Sequence, residues 1–501
     1  MSRRRGRAAH RSGQGELGAL MRGRVSRLTG TRQFWLLVAL LISAFALGGG
    51  SRGDIASLIV LRPLSVIALG LGLVSLRAAD AARHRWLIGL ACASIALVAL
   101  QLVPLPPGLL HALPGRAILG EIDRAAGLEG LWRPLSLSPT LTVNTFWSLF
   151  APLAVIVLAA QLEAAELERL VAVMLLVGLF STGLAVLQMI GAPDGPAYLY
   201  ADTNPGSPVG LFANRNHQAT FIASLLPLAA AWVGHDHGAR ATRHGRAIRL
   251  RLLAALALAF TLVPLILITG SRAGLVAGAL ALVAVPWIMG PGLRRQVQDV
   301  LNTGRHRVWL GALIGGGIVA LAGLTIWFGR AEAVTRLAGL GTAGELRVRT
   351  LPSVLRMLGE YFPWGAGLGA FKPVYRAHEM DSVLMPIMMN HAHDDWLEVL
   401  ALGGLGGALL LTGLVLLWGR AAWRAWAAAG RGQLLRLARA GVVVMAIFAL
   451  ASLSDYPLRV PSLSCYFALA AVWAGGLRGR GKSPLVEAAP DALPFASATE
   501  S

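Results

Sequence analysis

Apolar residues gather along this chain in runs of roughly 17–25, the length a helix needs to cross a hydrocarbon layer. The runs fall at 34–50, 55–76, 86–103, 143–160, 167–190, 217–233, 252–269, 274–290, 309–328, 397–418, 440–454 and 460–477. They predict about twelve membrane-spanning helices. The 440–454 run is short, and 55–76 carries Arg62. The polar intervals differ in kind. Pro104, Pro106, Pro107 and Pro114 break residues 104–142 into a partly interfacial loop. Residues 191–216 are rich in Gly, Pro and Asn, which predicts a loop. The longest interval, 329–396, holds an amphipathic stretch from Glu345 to Glu360, then a tight turn at Gly365, Gly367 and Gly369. Gly403-Gly404-Leu405-Gly406-Gly407, inside a run, predicts close helix packing.

Composition agrees with the pattern. Hydrophobic residues make up 55% of the chain and charged residues only 14%, against about a quarter charged in soluble domains. The expected fold is an all-α polytopic membrane protein. The formal charge of +20 would on its own suit nucleic-acid binding. Its placement argues against that. Basic residues collect in the N-terminal tail and in Arg77 to Arg85, Arg240 to Arg251, Arg294 to Arg307, Arg420 to Arg439 and Arg478 to Lys482. These are alternate loops, the positive-inside pattern, so they and both termini are expected in the cytoplasm. The expected organisation is a basic cytoplasmic tail (1–33), nine helices (34–328), a large external loop (329–396), three helices (397–477) and a disordered cytoplasmic tail (478–501). Cys92 and Cys465 lie in apolar runs and predict no disulfide.

With this topology, separate polar motifs reach one external face. His391-Ala392-His393-Asp394-Asp395-Trp396-Leu397-Glu398 stands where an apolar run begins. Ionisable groups at a membrane boundary are costly unless solvated or paired. The cluster admits three readings. A His-x-His with carboxylates can hold a metal, though two adjacent Asp side chains do not readily turn inward together. A neutral His can take a hydroxyl proton while a carboxylate orients it. The acids also suit a helix N-terminus, with Trp396 at the interface. Asn214-Arg215-Asn216-His217 opens another run, either capping it or contacting a glycan or phosphate. Ser271-Arg272-Ala273-Gly274 joins two runs with almost no loop, so Arg272 either snorkels to head groups or binds a phosphate. Arg347 and Arg349 are two apart and diverge on a helix. With Arg356, Lys372 and Arg376 they predict an electropositive mouth. Asp455-Tyr456-Pro457 is a further polar break that carries little information.

The order of these motifs is distinctive. Asn-Arg-Asn-His precedes a run, Ser-Arg-Ala-Gly joins two, and Arg347 lies in the long external interval. Pro363-Trp364-Gly365-Ala366-Gly367-Leu368-Gly369-Ala370-Phe371 follows, then His391 to Leu397 and Gly403 to Gly407. Over residues 30–477 this resembles the O-antigen ligase family, which shares its core with O-antigen and exopolysaccharide polymerases. The resemblance implies a GT-C-type bundle of about twelve helices in the bacterial inner membrane, among membrane lipids, with a large periplasmic loop. It implies transfer of a glycan from undecaprenyl pyrophosphate to a lipid A-core or similar acceptor at the periplasmic face, with no metal and no nucleotide-sugar cofactor. By motif position the family's loop histidine falls on His393, its interspan arginine on Arg272 and its loop arginine on Arg347. The family commonly has Asn where this chain has Asp394, and Trp where it has Leu351.

The expected site is therefore His393 as the reactive residue with Asp394 orienting it, and Arg272, Arg347 and Arg215 on the donor pyrophosphate. His391, Asp395, Asn214, Asn216, His217 and Arg349 are supporting candidates, and Trp396 and Glu398 are read as structural. The alternative activity is polymerisation of lipid-linked repeat units. A polysaccharide transporter is disfavoured, because the polar residues gather at one face and only Arg62 is clearly within a span.

Overall fold

The computed structural model describes residues 31–234, 241–302, 342–381, 384, 389–428 and 432–476. Residues 1–30 of the expected basic tail, the expected span 309–328 and the expected C-terminal tail 478–501 lie outside the described residues.

The chain opens with α1 (Arg32–Leu47), α2 (Leu58–Ser75), the short α3 (Ala78–Arg83) and α4 (Arg85–Leu100). The 104–142 interval contains an antiparallel ribbon, β1 (Pro104–Leu105) with β2 (Arg133–Pro134), enclosing α5 (Pro107–His111) and α6 (Ala117–Ala125). Then come α7 (Pro139–Ser148), α8 (Phe150–Ala160), α9 (Ala164–Ile190), α10 (Arg215–Val233), α11 (Ala241–Ile268) and α12 (Arg272–Asn302). The amphipathic stretch is α13 (Thr342–Tyr361), and α14 (Phe371–His378) follows the glycine turn. The chain closes with α15 (Asp395–Ala427), α16 (Gln433–Ala451), a 3-10 turn at Pro457–Arg459 and α17 (Pro461–Gly475).

Seven described stretches are long and apolar enough to cross a membrane: Leu58–Ser75, Pro139–Ala160, Ala164–Ile190, Ile248–Ile268, Arg272–Arg295, Asp395–Ala427 and Gln433–Ala451. The apolar helices α1, α4 and α17 are shorter. Large apolar side chains such as Ile59, Val74, Leu409 and Leu416 point outward and exposed. In water that surface would be unstable, whereas against lipid it is the expected one. The protein is an all-α polytopic membrane protein.

Two helices lie innermost. α10 is buried almost all round from His217 to Ala231 and packs against α9, α11, α12 and α16. α17 is buried between α8 and α16. One side chain makes four of the hydrogen bonds that hold the loop before α10. Gln188 of α9 accepts from the amides of Val209 (3.0 Å) and Gly210 (2.7 Å) and donates to the carbonyls of Ala197 and Gly210 (both 2.9 Å). These bonds tie the loop that leads into α10 to α9.

Gly403 to Gly407 does something other than the expected helix packing alone. α15 breaks at Gly404, whose φ of 56° and ψ of −140° leave the helix. The freed carbonyls are taken up by the glycine turn: Ala366 N–H donates to Ala401 O (3.1 Å) and Gly367 N–H to Leu402 O (2.9 Å). Leu405 N–H in return donates to Pro363 O at 2.7 Å, and Gln101 Nε2 to Leu402 O at 2.9 Å. Backbone groups in a membrane helix must find partners, and here the loop supplies them. Fully buried Arg116 adds a second tie, donating to Pro114 O and Leu135 O (both 2.9 Å) and Gly365 O (2.5 Å).

Candidate functional site

Three elements meet at the start of α15: the His391–Asp395 segment, the Ser452–Arg459 turn between α16 and α17, and the first turn of α10. Asp394 caps α15, its Oδ1 accepting from Leu397 N–H at 3.0 Å. Burial pushes the Asp394 carboxyl above its ordinary value, against the opposing pull of the Leu397 and Trp396 amides. His393, just before the cap, has φ 55°, a left-handed conformation that side-chain-bearing residues seldom adopt. That turn separates the two histidines, so that they make different contacts.

His391 points into a buried ion network. Its Nδ1 lies 3.0 Å from Oε1 of Glu398, and the other oxygen of Glu398 accepts from Ala392 N–H at 2.9 Å. Arg459 Nε donates to Oδ1 of Asp395 at 3.0 Å, and its Nη2 lies 3.5 Å from Oε1 of Glu398. Ser452 Oγ donates to Oδ2 of Asp395 at 3.0 Å. Burial alone would lower the Arg459 pKa, but the carboxylates of Glu398 and Asp395 hold it above its usual value. Buried charges persist when paired and hydrogen-bonded in this way.

His393 faces another carboxylate. Its Nδ1 lies 3.6 Å from Oδ1 of Asp455, and Nε2 of His217 approaches the same oxygen at 3.8 Å. These are ion-pair distances rather than formed hydrogen bonds. Tyr456 sits among the three histidines, its ring centroid 4.5 Å from that of His391, 4.9 Å from His393 and 5.3 Å from His217. Asp455 and His217 are buried, and His393 is about a quarter exposed (side chain 26%), so it is the histidine of this pair open to a substrate.

A chamber of about 290 Å³ opens beside His391 and Glu398, with Arg52, Arg62, Lys372 and Arg459 among its lining residues. An apolar groove of about 300 Å³ adjoins it; Thr145, Leu149, Pro152, Leu458, Arg459 and Ser464 line both.

Of the residues expected at the site, His217, His391, His393 and Asp395 come together. Asn214 caps α10, accepting from Asn216 N–H at 2.8 Å, and Arg215 N–H donates to Asn204 Oδ1 at 3.0 Å. Arg272 is exposed at the start of α12, after the turn at Gly270. Arg347 and Arg349 both fall on α13, with Arg349 exposed. Sequence reasoning read Glu398 as structural, gave Asp455 and Tyr456 little weight and did not name Arg459. The signal was available for the last three: an Asp, a Tyr and an Arg crowd the short break between two apolar runs, the criterion that singled out His391 to Glu398.

Comparison with known proteins gives one family match. Residues 254–412 match the family model described as O-Antigen ligase, a stretch that runs through Arg272, Arg347 and the His391–Glu398 cluster. No curated protein matches the chain.

Proposed function

We propose, from the match of residues 254–412 to the O-antigen ligase family model, that this chain transfers a glycan from undecaprenyl pyrophosphate to a lipid A-core or similar acceptor. The reaction takes place at the periplasmic face of the bacterial inner membrane, beneath the large loop of a bundle of about twelve helices with both termini cytoplasmic. It uses neither a metal nor a nucleotide sugar. The observation that carries this reading is the gathering of His217, His391 and His393 around Tyr456 and Asp455 where α15 begins.

In the proposed step the acceptor hydroxyl oxygen bonds to the anomeric carbon of the donor sugar. The bond from that carbon to the pyrophosphate oxygen breaks, and pyrophosphate leaves on its lipid. His393 takes the hydroxyl proton. The approach of Asp455 to Nδ1 supports Nε2 as the accepting atom, with Asp455 steadying the cation that forms. Asp394 supports His393 through the backbone, by capping the helix that follows it. Charge develops on the leaving pyrophosphate, and Arg272, Arg347 and Arg215 are the groups proposed to stabilise it.

The test replaces the host gene with His393→Ala, Arg272→Ala and Arg347→Ala variants at matched membrane expression and reads surface polysaccharide on gels. The expected result is loss of attached glycan with lipid-linked polymer still present. Accumulation of single lipid-linked units instead identifies a polymerase. Normal glycan attachment in both the His393 and Arg272 variants would sink this assignment.

A further inference from the structure

The chamber beside His391 has an imbalance of partners. Arg52 is held by Asp54 and Asp202, and Arg459 by Asp395 and Glu398. Arg62 and Lys372, which line the same chamber, have no carboxylate within 4 Å among the described residues; Asp54, which also lines the chamber and feels the charge of Lys372, is already bonded to Arg52. Arg62 stands in the first turns of α2, a spanning helix. Its Nη1 donates to Asn144 Oδ1 at 3.0 Å, while Nε and Nη2 are buried without a hydrogen-bond partner. A guanidinium at a membrane boundary with two orphaned donors is costly, and an anion in the chamber would offset that cost.

The adjoining groove says what kind of anion. It leaves the chamber past Leu149 and Pro152 and runs between α4, α15 and α17, lined by side chains such as Ser94, Val399, Leu411 and Phe467. An anion-binding chamber continuous with an apolar groove between helices matches a lipid with a phosphate head. Its volume suits a stretch of one chain, whereas a multiply acylated glycolipid presents several chains together. A more open groove of about 480 Å³ by Val66 and Trp147 shares only Arg62 with the chamber.

We infer that Arg62 and Lys372 form a pyrophosphate subsite for a single-chain polyprenyl pyrophosphate whose chain lies in the groove between α4, α15 and α17. This rests on the lipid-linked donor proposed above, and it adds a binding flank on the His391 side of the site.

The test measures binding of a fluorescent short-chain polyprenyl pyrophosphate to the full-length protein in lipid nanodiscs. Arg62→Gln, Lys372→Gln and the double variant are compared with wild type, each checked for a monodisperse elution profile. Arg62→Lys serves as the charge-conserving control. The double variant is expected to weaken binding at least tenfold, with Arg62→Lys recovering part of it. Ser94→Trp, which fills the groove, should weaken binding of the lipid and leave competition by inorganic pyrophosphate unchanged, whereas Val66→Trp should change neither. Unaltered affinity in the double variant, with wild type binding, overturns the subsite and leaves the proposed donor standing. Weakening by Val66→Trp and not by Ser94→Trp overturns the chain's path. Wild type that binds a phosphorylated, multiply acylated glycolipid and not the polyprenyl pyrophosphate overturns both the subsite and the proposed donor.

Discussion

Oδ1 of Asp455 lies 3.6 Å from Nδ1 of His393, although the two residues belong to different turns of the chain. Asp455 is the carboxylate proposed to steady the imidazole at Nδ1, with Nε2 proposed to meet the acceptor. Asp455→Asn keeps the shape and removes the charge. Glycan transfer by the purified variant should fall on the order of 10²-fold, the lower range for disabling general acid–base catalysis. Asp394→Asn should cost less, since Asn also caps helices. Equal activity of Asp455→Asn and wild type in that assay would remove Asp455 from the proposed step.

Glu398 is a buried carboxylate shared between His391 and Arg459. Breaking a buried pair by removing one charge costs about 3–5 kcal/mol, because the other stays buried and uncompensated. Glu398→Gln is expected to lower the apparent unfolding temperature clearly in detergent. Arg459→Met should cost at least as much, because it takes the guanidinium from buried Asp395 as well as from Glu398. Wild-type stability of both variants would contradict the pairing.

The break in α15 depends on Gly404. A Cβ there would run into the Pro363 carbonyl, at a φ already unfavourable for other residues. Gly404→Ala should destabilise by more than the ~1–2 kcal/mol of a left-handed residue alone. Gly419, in the same helix, has open space around its Cβ position. Gly419→Ala should be neutral or stabilise by up to about 1 kcal/mol, as Ala does in a helix interior. Thermal melts of the two variants side by side check the contrast.

The ribbon segment carries a pH dependence. Arg133 donates from Nε to Oδ2 of buried Asp123 at 3.0 Å, and His111 Nε2 lies 3.6 Å from the same oxygen. Arg133 holds the Asp123 carboxyl below its usual range. A carboxyl lowered on folding stabilises the fold above its unfolded pKa of about 3.9, and that contribution is lost as pH falls through the lower folded value. Amide exchange across α6 and β2 should quicken as pH is lowered through that window, after correction for intrinsic rates. In Asp123→Asn it should already be fast at neutral pH and lack the step.

Much of the bundle is legible in the amino-acid order, because run length and loop charge are local properties of a membrane chain. The runs at 167–190, 274–290 and 397–418 need nothing more to be read, and each lies within a described helix. The interval ending at Glu360 is also readable as amphipathic, and α13 covers it. The break at Gly404 is not. Small residues in a row predict close approach, but whether a neighbouring helix or a loop makes it depends on where Pro363 to Gly367 returns. The same holds at the site. Glu398 lies seven residues after His391, in the first turn of α15, and its pairing with Arg459 is visible only once the turn after α16 is brought back beside it. His393 stands out in the sequence through its motif. Its pairing with Asp455 needs the tertiary fold.

The most direct measurement is transfer by purified protein from a labelled polyprenyl pyrophosphate-linked glycan to a candidate acceptor, comparing wild type with His393→Ala and His393→Gly. Glycine accepts the φ of 55° at this position and lacks the imidazole. Both variants should bind the donor and elute as wild type, with transfer reduced roughly 10²–10⁴-fold, the range for losing a general base. Transfer by His393→Gly at the wild-type rate would contradict the account, because the backbone turn alone would then suffice.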